Sequence, residues 1–327
     1  MSATSQADDL MLADDRLFAI AATWQQAGHG LAIAFVIQTW GSSPRQIGSL
    51  MLIRDDARIE GSVSGGCVEG AVIDAGLELI STGGSKCLDF GVADATAWDV
   101  GLSCGGQISI LVMAVGDAGF PLPLLGQVVE SLAERRPVGI CLPLKDGAAK
   151  PAATMPEQSH LDGDRFFFVQ APRPQVIIIG AVHISQHLSV MARQCGFNVI
   201  IIDPRQVFAT TDRFPDQNLI HDWPDDALAK IVLDADSAMV ALTHDPKIDD
   251  VALRIALGKP LFHIAALGSR RTHAARLTRL AEAGLDATKT ARIKGPAGLD
   301  IAAQTPAEIA VSVLAELITA YRRRQGG

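Results

Sequence analysis

Residues Gln175-Val176-Ile177-Ile178-Ile179-Gly180-Ala181-Val182-His183-Ile184-Ser185 read as a strand, a turn at Gly180 and the opening of a helix. Four β-branched residues in a row, Val176 to Ile179, leave no polar face. That is the signature of a strand covered on both sides in a parallel sheet. The helix is expected from about Ile184 to Cys195, and a second buried strand from Asn198 to Ile202 ends at Asp203-Pro204-Arg205. Two more buried strands, Ala238 to Leu242 and Leu261 to Ala265, end in the polar turns Thr243-His244-Asp245 and Gly268-Ser269-Arg270. Alternation of this length predicts an α/β, doubly wound parallel sheet of Rossmann type over residues 171–327. Ligands on such sheets sit at the carboxyl ends of the strands, which makes Gly180, His183, Asp203, His244 and Arg270 candidate contacts.

The topology alone does not make a dinucleotide site. The phosphate-binding fingerprint wants Gly-x-Gly-x-x-Gly after the first strand, and only its first glycine stands here, at Gly180. Val182 places a β-branched side chain where a pyrophosphate must approach the backbone. Asp203 is well placed for a ribose hydroxyl, but the loop argues against NAD(P). For His183 and His244 either a site role or a structural role fits, and Arg270-Arg271 reads as a phosphate cradle or as a solvated basic turn.

Ala171-Pro172-Arg173-Pro174 reads as a linker, with a mixed α/β domain before it over residues 1–170. There Asp15 to Gln26 and Glu69 to Ser81 have helical patterns. Leu31 to Gln38, Leu50 to Ile53, Gln107 to Val115, Val138 to Leu144 and Arg165 to Gln170 have strand patterns. Gly116 to Gly126, with Pro121 and Pro123, reads as a loop, and Gly147 to His160 as an exposed segment.

Within this half the segment Gly61-Ser62-Val63-Ser64-Gly65-Gly66-Cys67-Val68-Glu69-Gly70 carries four glycines around one thiol. Glycine lets a ligand approach the main chain closely, and its conformational cost argues for a purpose. Cys67 falls at the start of the expected helix, where the macrodipole and unpaired N–H groups favour a thiolate or an anion. Cys104 in Gly101-Leu102-Ser103-Cys104-Gly105-Gly106 has a similar setting. The competing reading is a tight turn with a buried small thiol. Ser64, Gly65, Gly66, Cys67, Glu69, Cys104 and Arg45 are the candidates here.

Composition narrows the function further. The 327 residues carry a formal charge of −8 and 5% aromatics, which excludes a general nucleic-acid binder with a basic face and stacking platforms. No apolar run is long enough for a membrane span, and the acidic first residues are the wrong charge for a signal peptide. Five scattered cysteines make neither a disulfide framework nor a zinc pattern, so a reduced, cytoplasmic protein is expected. Glu308 and Glu316 are expected on one surface face of a last helix begun by Thr305-Pro306.

The chain also resembles the XdhC/CoxI accessory proteins of molybdenum hydroxylases. The resemblance runs through Thr39-Trp40-Gly41-Ser42-Ser43-Pro44-Arg45, Gly61 to Gly70 and Cys104-Gly105-Gly106. It continues through Asp203-Pro204-Arg205, Arg213-Phe214-Pro215-Asp216, Thr243-His244-Asp245 and Gly268-Ser269-Arg270-Arg271, and ends with Gly295 to Ile301 and Thr305 to Ala310. It implies an XdhC/CoxI-type domain followed by a Rossmann-like domain, often as a homodimer. It also implies binding of molybdenum cofactor (molybdopterin), with delivery of the sulfurated form to xanthine dehydrogenase or a related hydroxylase and sulfur supplied by a cysteine desulfurase. The role the resemblance implies is that of a cofactor-loading chaperone, and whether the chain is also an enzyme stays open. Cys67, with Cys104, would contact molybdenum or the transferable sulfur, and Arg45 with the glycine-rich backbone would position the cofactor. Two other readings stay open: an NAD(P)-binding oxidoreductase, and a scaffold that joins desulfurase and hydroxylase without holding cofactor.

Overall fold

The computed structural model describes residues 14–41, 45–91 and 106–324. Cys104 lies outside the described residues. The chain divides between Pro172 and Arg173 into two compact units.

In the first unit, α1 (Asp14–Gln26) leads into β1 (Leu31–Trp40), β2 (Leu50–Arg54) and β3 (Ile59–Gly61). Then come α2 (Glu69–Thr82), β4 (Ser85–Phe90), β5 (Gln107–Ala114) and α3 (Leu122–Ala133). Strands β6 (Val138–Pro143), β7 (Lys150–Pro151), β8 (His160–Asp162) and β9 (Arg165–Gln170) complete the unit. An antiparallel five-stranded sheet has the order β3-β2-β1-β5-β4, and a smaller one the order β7-β6-β9-β8. Alternation along β1 explains the two cores. Ile33, Phe35 and Ile37 join Phe18 of α1, Leu124 and Val128 of α3, and Phe166 and Phe168 of β9. Ala32, Ala34 and Val36 face the other way, onto Val68, Val72 and Leu79 at α2. The helix comes so close to β2 that a Cβ at Gly76 would lie 2.7 Å from Ile53 Cδ1.

Two expectations are corrected here. The segment with Pro121 and Pro123 is not all loop: Pro121 caps α3 and Pro123 lies in its first turn. Proline has no N–H to lose there and its φ already suits a helix. The span 147–160 contributes β7 and the first residue of β8 to the small sheet.

The second unit alternates: β10 (Gln175–Ile179), α4 (His183–Gln194), β11 (Asn198–Ile202), β12 (Asn218–Ile220), α5 (Pro224–Leu228), β13 (Ser237–Ala241) and α6 (Pro246–Leu257). It continues through β14 (His263–Ala266), α7 (Arg270–Glu282), α8 (Ala287–Thr290), β15 (Ile293–Lys294) and α9 (Pro306–Arg324). All six strands are parallel, in the order β12-β11-β10-β13-β14-β15. Counted from β10, that is the 3-2-1-4-5-6 order of the dinucleotide fold, with its switch point between β10 and β13. Val176 and Ile178 pack under α4 and α9, while Ile177 and Ile179 pack against α5 and α6.

Candidate functional site

The Cys67 loop begins where β3 ends. Gly61 has φ +78°, and a Cβ there would sit 2.5 Å from the Leu50 carbonyl oxygen, so only glycine passes this point. Arg45 donates from Nε to the Ser62 carbonyl at 2.8 Å and ties its own segment to the loop.

Inside the loop Glu69 is the hub. Its Oε1 accepts from Ser62 Oγ at 2.8 Å, Ser64 N at 2.9 Å and Gly65 N at 3.0 Å. Its Oε2 accepts from the Ser64 hydroxyl, from Gly66 N at 2.9 Å and from Val68 N at 3.3 Å. Burial pushes this carboxyl up, but the Ser64 hydroxyl and N–H and the Ser62 hydroxyl outweigh it and bring the pKa to about 2. The N–H groups of Ser64, Gly65, Gly66 and Val68, in the loop that leads into the helix, are therefore engaged by the carboxylate of the helix's first residue.

Cys67 N donates to Ser64 Oγ at 3.0 Å, and its half-buried side chain rests on the α2 core. On either side the ground is clear. Gly66, at φ +119°, and Gly70 in the first helical turn have nothing within 4 Å of where a Cβ would stand. Backbone conformation accounts for glycine at Gly66; at Gly70 neither conformation nor packing does. Arg45, Ser64, Gly65, Gly66, Cys67 and Glu69 are thus gathered in one place.

The remaining described candidates belong to the second unit. Gly180 has φ +109°, and a Cβ there would meet Thr243 Cγ2 at 2.5 Å and Thr243 N at 3.2 Å. The two strand ends flanking the switch point therefore touch. Asp203, fully buried, accepts from Ala181 N at 2.8 Å and from Arg205 through N (3.0 Å), Nε (2.9 Å) and a terminal amine (2.8 Å). Burial raises its pKa, but these donors, Arg205 foremost, hold it below the usual aspartate value. Ser185, where the fingerprint wants its third glycine, bonds the Gly180 carbonyl and the Val182 N–H. His183 and Arg270 are exposed first residues of α4 and α7. His244 is exposed at φ +64°, its N–H donating to Asp249 Oδ2 at 3.0 Å.

Sequence reasoning missed the residues behind these. Asp249 of α6 also accepts from the Thr243 hydroxyl at 2.6 Å, and it faces Arg276 of α7 at 3.6 Å. Both are almost fully buried; burial raises the Asp249 pKa and lowers that of Arg276. Arg276 also donates to the Leu267 carbonyl at 3.0 Å, so the pair braces the loops after β13 and β14. Glu316 is not a surface residue: it accepts from Gly298 N at 3.0 Å and meets His263 Nε2 at 3.2 Å. Glu308 caps α9, accepting from the Gln304 and Thr305 N–H groups. The Thr305-Pro306-Ala307-Glu308 spacing is a capping-box signal that identifies this second role.

Among the described residues no group of three or more His, Cys, Asp or Glu is placed to hold a metal ion, and no helix is long and apolar enough to cross a membrane.

Each of the two units contains a match to a known family model. Residues 24–91 match the XdhC and CoxI family, and residues 176–317 match the XdhC Rossmann domain. The molybdenum cofactor insertion chaperone PaoD of Escherichia coli K12 is 30% identical, over 89% of this chain and 83% of that protein. A protein of Bacillus subtilis 168 named as a probable xanthine dehydrogenase subunit is 29% identical, over 89% of this chain and 93% of that protein. A crystal structure titled as a xanthine dehydrogenase from Bacillus halodurans superposes with a TM-score of 0.72 at 25% identity, covering 96% of this chain and 97% of that one. Cys67 and its glycines lie inside the first matched span and the Rossmann unit holds the second, and with the 30% identical relative these matches show that the chain is a member of the XdhC and CoxI family.

Proposed function

We infer that this protein is an accessory factor that takes molybdenum cofactor as cargo and assists its insertion into xanthine dehydrogenase or a related molybdenum hydroxylase. Family membership and the 30% identity to a molybdenum cofactor insertion chaperone support the class of activity. The observation that carries the reading to particular residues is Cys67: a half-buried thiol at the head of α2, with Gly66 and Gly70 leaving the ground beside it open. A soft thiolate suits molybdenum or a terminal sulfur, and an open backbone admits a flat ligand. Cys67 meets the cargo in this reading, and Ser64, Gly65, Gly66 and Glu69 shape the loop that presents it. Arg45 anchors that loop, and Cys104 is a second candidate thiol. Sulfuration by a cysteine desulfurase and assembly as a homodimer complete the proposal.

A dinucleotide-dependent oxidoreductase is the weaker reading. The Asp203 carboxylate that would take a ribose hydroxyl already accepts four of the chain's own hydrogen bonds, and Val182 stands at the second glycine position.

The test mixes purified protein with free molybdenum cofactor anaerobically, removes the unbound fraction and measures pterin and molybdenum. Near-stoichiometric retention by wild type, lost in Cys67→Ala, is expected. Retention by neither protein, together with co-purification of desulfurase and hydroxylase, would replace the carrier by a scaffold.

A further inference from the structure

The six hydrogen bonds to Glu69 have a pattern. Four come from backbone N–H groups of Ser64, Gly65, Gly66 and Val68, converging as they do in loops that hold a bound anion. Here the anion is a side chain of the same loop. Both residues flanking Cys67 donate directly to that carboxylate. Cys67 itself is held at one remove, through Ser64 Oγ, whose hydroxyl donates to Oε2 while accepting the Cys67 and Val68 N–H groups.

We propose that Glu69 is a positioning residue for Cys67, not a contact to the cargo, and that the cargo's phosphate is seated away from this loop. The proposal rests on the reading that Cys67 meets the cofactor. It assigns the cargo a direction. With the N–H groups from Ser64 to Val68 taken by the Glu69 carboxylate and the Ser64 hydroxyl, what this stretch offers is the thiol and the open ground at Gly66 and Gly70, which suit the sulfur-and-metal end of the molecule. Glutamine cannot replace Glu69. Both carboxylate oxygens accept from three donors each, so an amide nitrogen on either side would point its hydrogens at N–H and O–H groups.

The experiment uses cargo-free full-length protein first. Alkylation of Cys67 by iodoacetamide is followed by peptide mass spectrometry, with the exposed Cys87 and Cys195 as internal references. Glu69→Ala and Glu69→Gln are both expected to change the Cys67 rate several-fold while leaving Cys87 and Cys195 unchanged. Formate, which can enter the vacated nest, should restore the Cys67 rate in Glu69→Ala but not in Glu69→Gln. Inorganic phosphate should leave Cys67 of the wild type unprotected. Pterin retention should fall in both variants and recover with formate in Glu69→Ala alone. Unchanged Cys67 alkylation alongside lost retention would make Glu69 a direct contact and overturn the proposal. So would wild-type retention by Glu69→Gln, or protection of wild-type Cys67 by phosphate. If Glu69→Ala does not fold, Ser62→Ala removes one donor to Oε1 and the acceptor of the Gly65 N–H, and a smaller change at Cys67 alone is expected. If the wild type retains no pterin, the cargo reading fails with the orientation built on it, while the alkylation series still decides whether Glu69 positions the thiol.

Discussion

Asp203 Oδ2 accepts the Ala181 N–H at 2.8 Å, so the acid that ends the second strand of the Rossmann unit closes onto the loop that ends the first. Arg205 completes the closure by wrapping both carboxylate oxygens. NADH titrated through the millimolar range should therefore give no saturable fluorescence change with wild type or with Val182→Gly. The bond network also has a stability consequence. A carboxyl held below its ordinary value of 3.8 adds stability above that pH and loses it as pH falls through the lower folded value. Asp203→Asn should cost roughly 2–3 kcal/mol at neutral pH, as for hydrogen bonds to a buried charge, and should flatten the acid limb of urea-unfolding midpoints against pH.

Glu69 sets a second acid dependence. Its folded pKa of about 2 lies below the ordinary value of 4.5. Its contribution is full above 4.5, declines below it and is lost as pH passes through about 2. Cys67 alkylation in wild type, corrected for the intrinsic pH dependence of the thiol, should therefore stay loop-controlled at pH 5. Amide NMR shifts of the loop should change on acidification towards pH 2 in wild type, and Glu69→Ala should lack that change.

The Asp249–Arg276 pair braces the loops after β13 and β14 from inside the protein, with Asp250 as a second carboxylate 3.9 Å from Arg276. Asp249→Leu should destabilise by about 3 kcal/mol, the low end of the cost of breaking a buried pair, because Asp250 still faces Arg276 at 3.9 Å. Asp249→Leu with Arg276→Met should cost clearly less than the sum of the two single changes. Equilibrium urea unfolding of all four proteins checks this. Additive losses would mean the two side chains act independently.

Two glycines separate by the same substitution. Gly180→Ala puts a Cβ 2.5 Å from Thr243 Cγ2 at φ +109° and should destabilise by about 2–4 kcal/mol. Gly70→Ala sits in a helical turn with free space and should stabilise by about 0.5–1 kcal/mol. Thermal unfolding checks both. For Gly70→Ala the gain in Tm is expected to come with weaker pterin retention, because the new methyl stands on the open ground beside Cys67.

Much of the fold was legible because its strongest signals are local. Val176 to Ile179 can only be a strand buried on both faces, and Gly180 and Gly196 punctuate it. Helix α3 was hidden by Pro121 and Pro123, which signal a turn as readily as a helix start. Strands β7 and β8 are only two and three residues long and owe their existence to pairing with β6 and β9. At the site, residue types marked Cys67 and its glycines, but no spacing rule shows that one carboxylate collects six donors. Asp249, Arg276 and Glu316 escaped for the same reason: a charge on a helix reads as surface until its partner, 27 or 53 positions away in the chain for the ion pairs seen here, is placed beside it.

Helix α9 places Val313 and Leu317 in the core beneath α4 and ties Glu316 to His263 of β14 and to the Gly298 loop. It therefore spans the switch point as a clasp on one face of the sheet. Amide exchange in α4, α9 and β14 should then share a single opening free energy, because releasing the helix uncovers the strands it crosses and frees Glu316 from His263 and Gly298 at once. A partner that pulled on this helix would loosen the loops that follow β10 and β14 together.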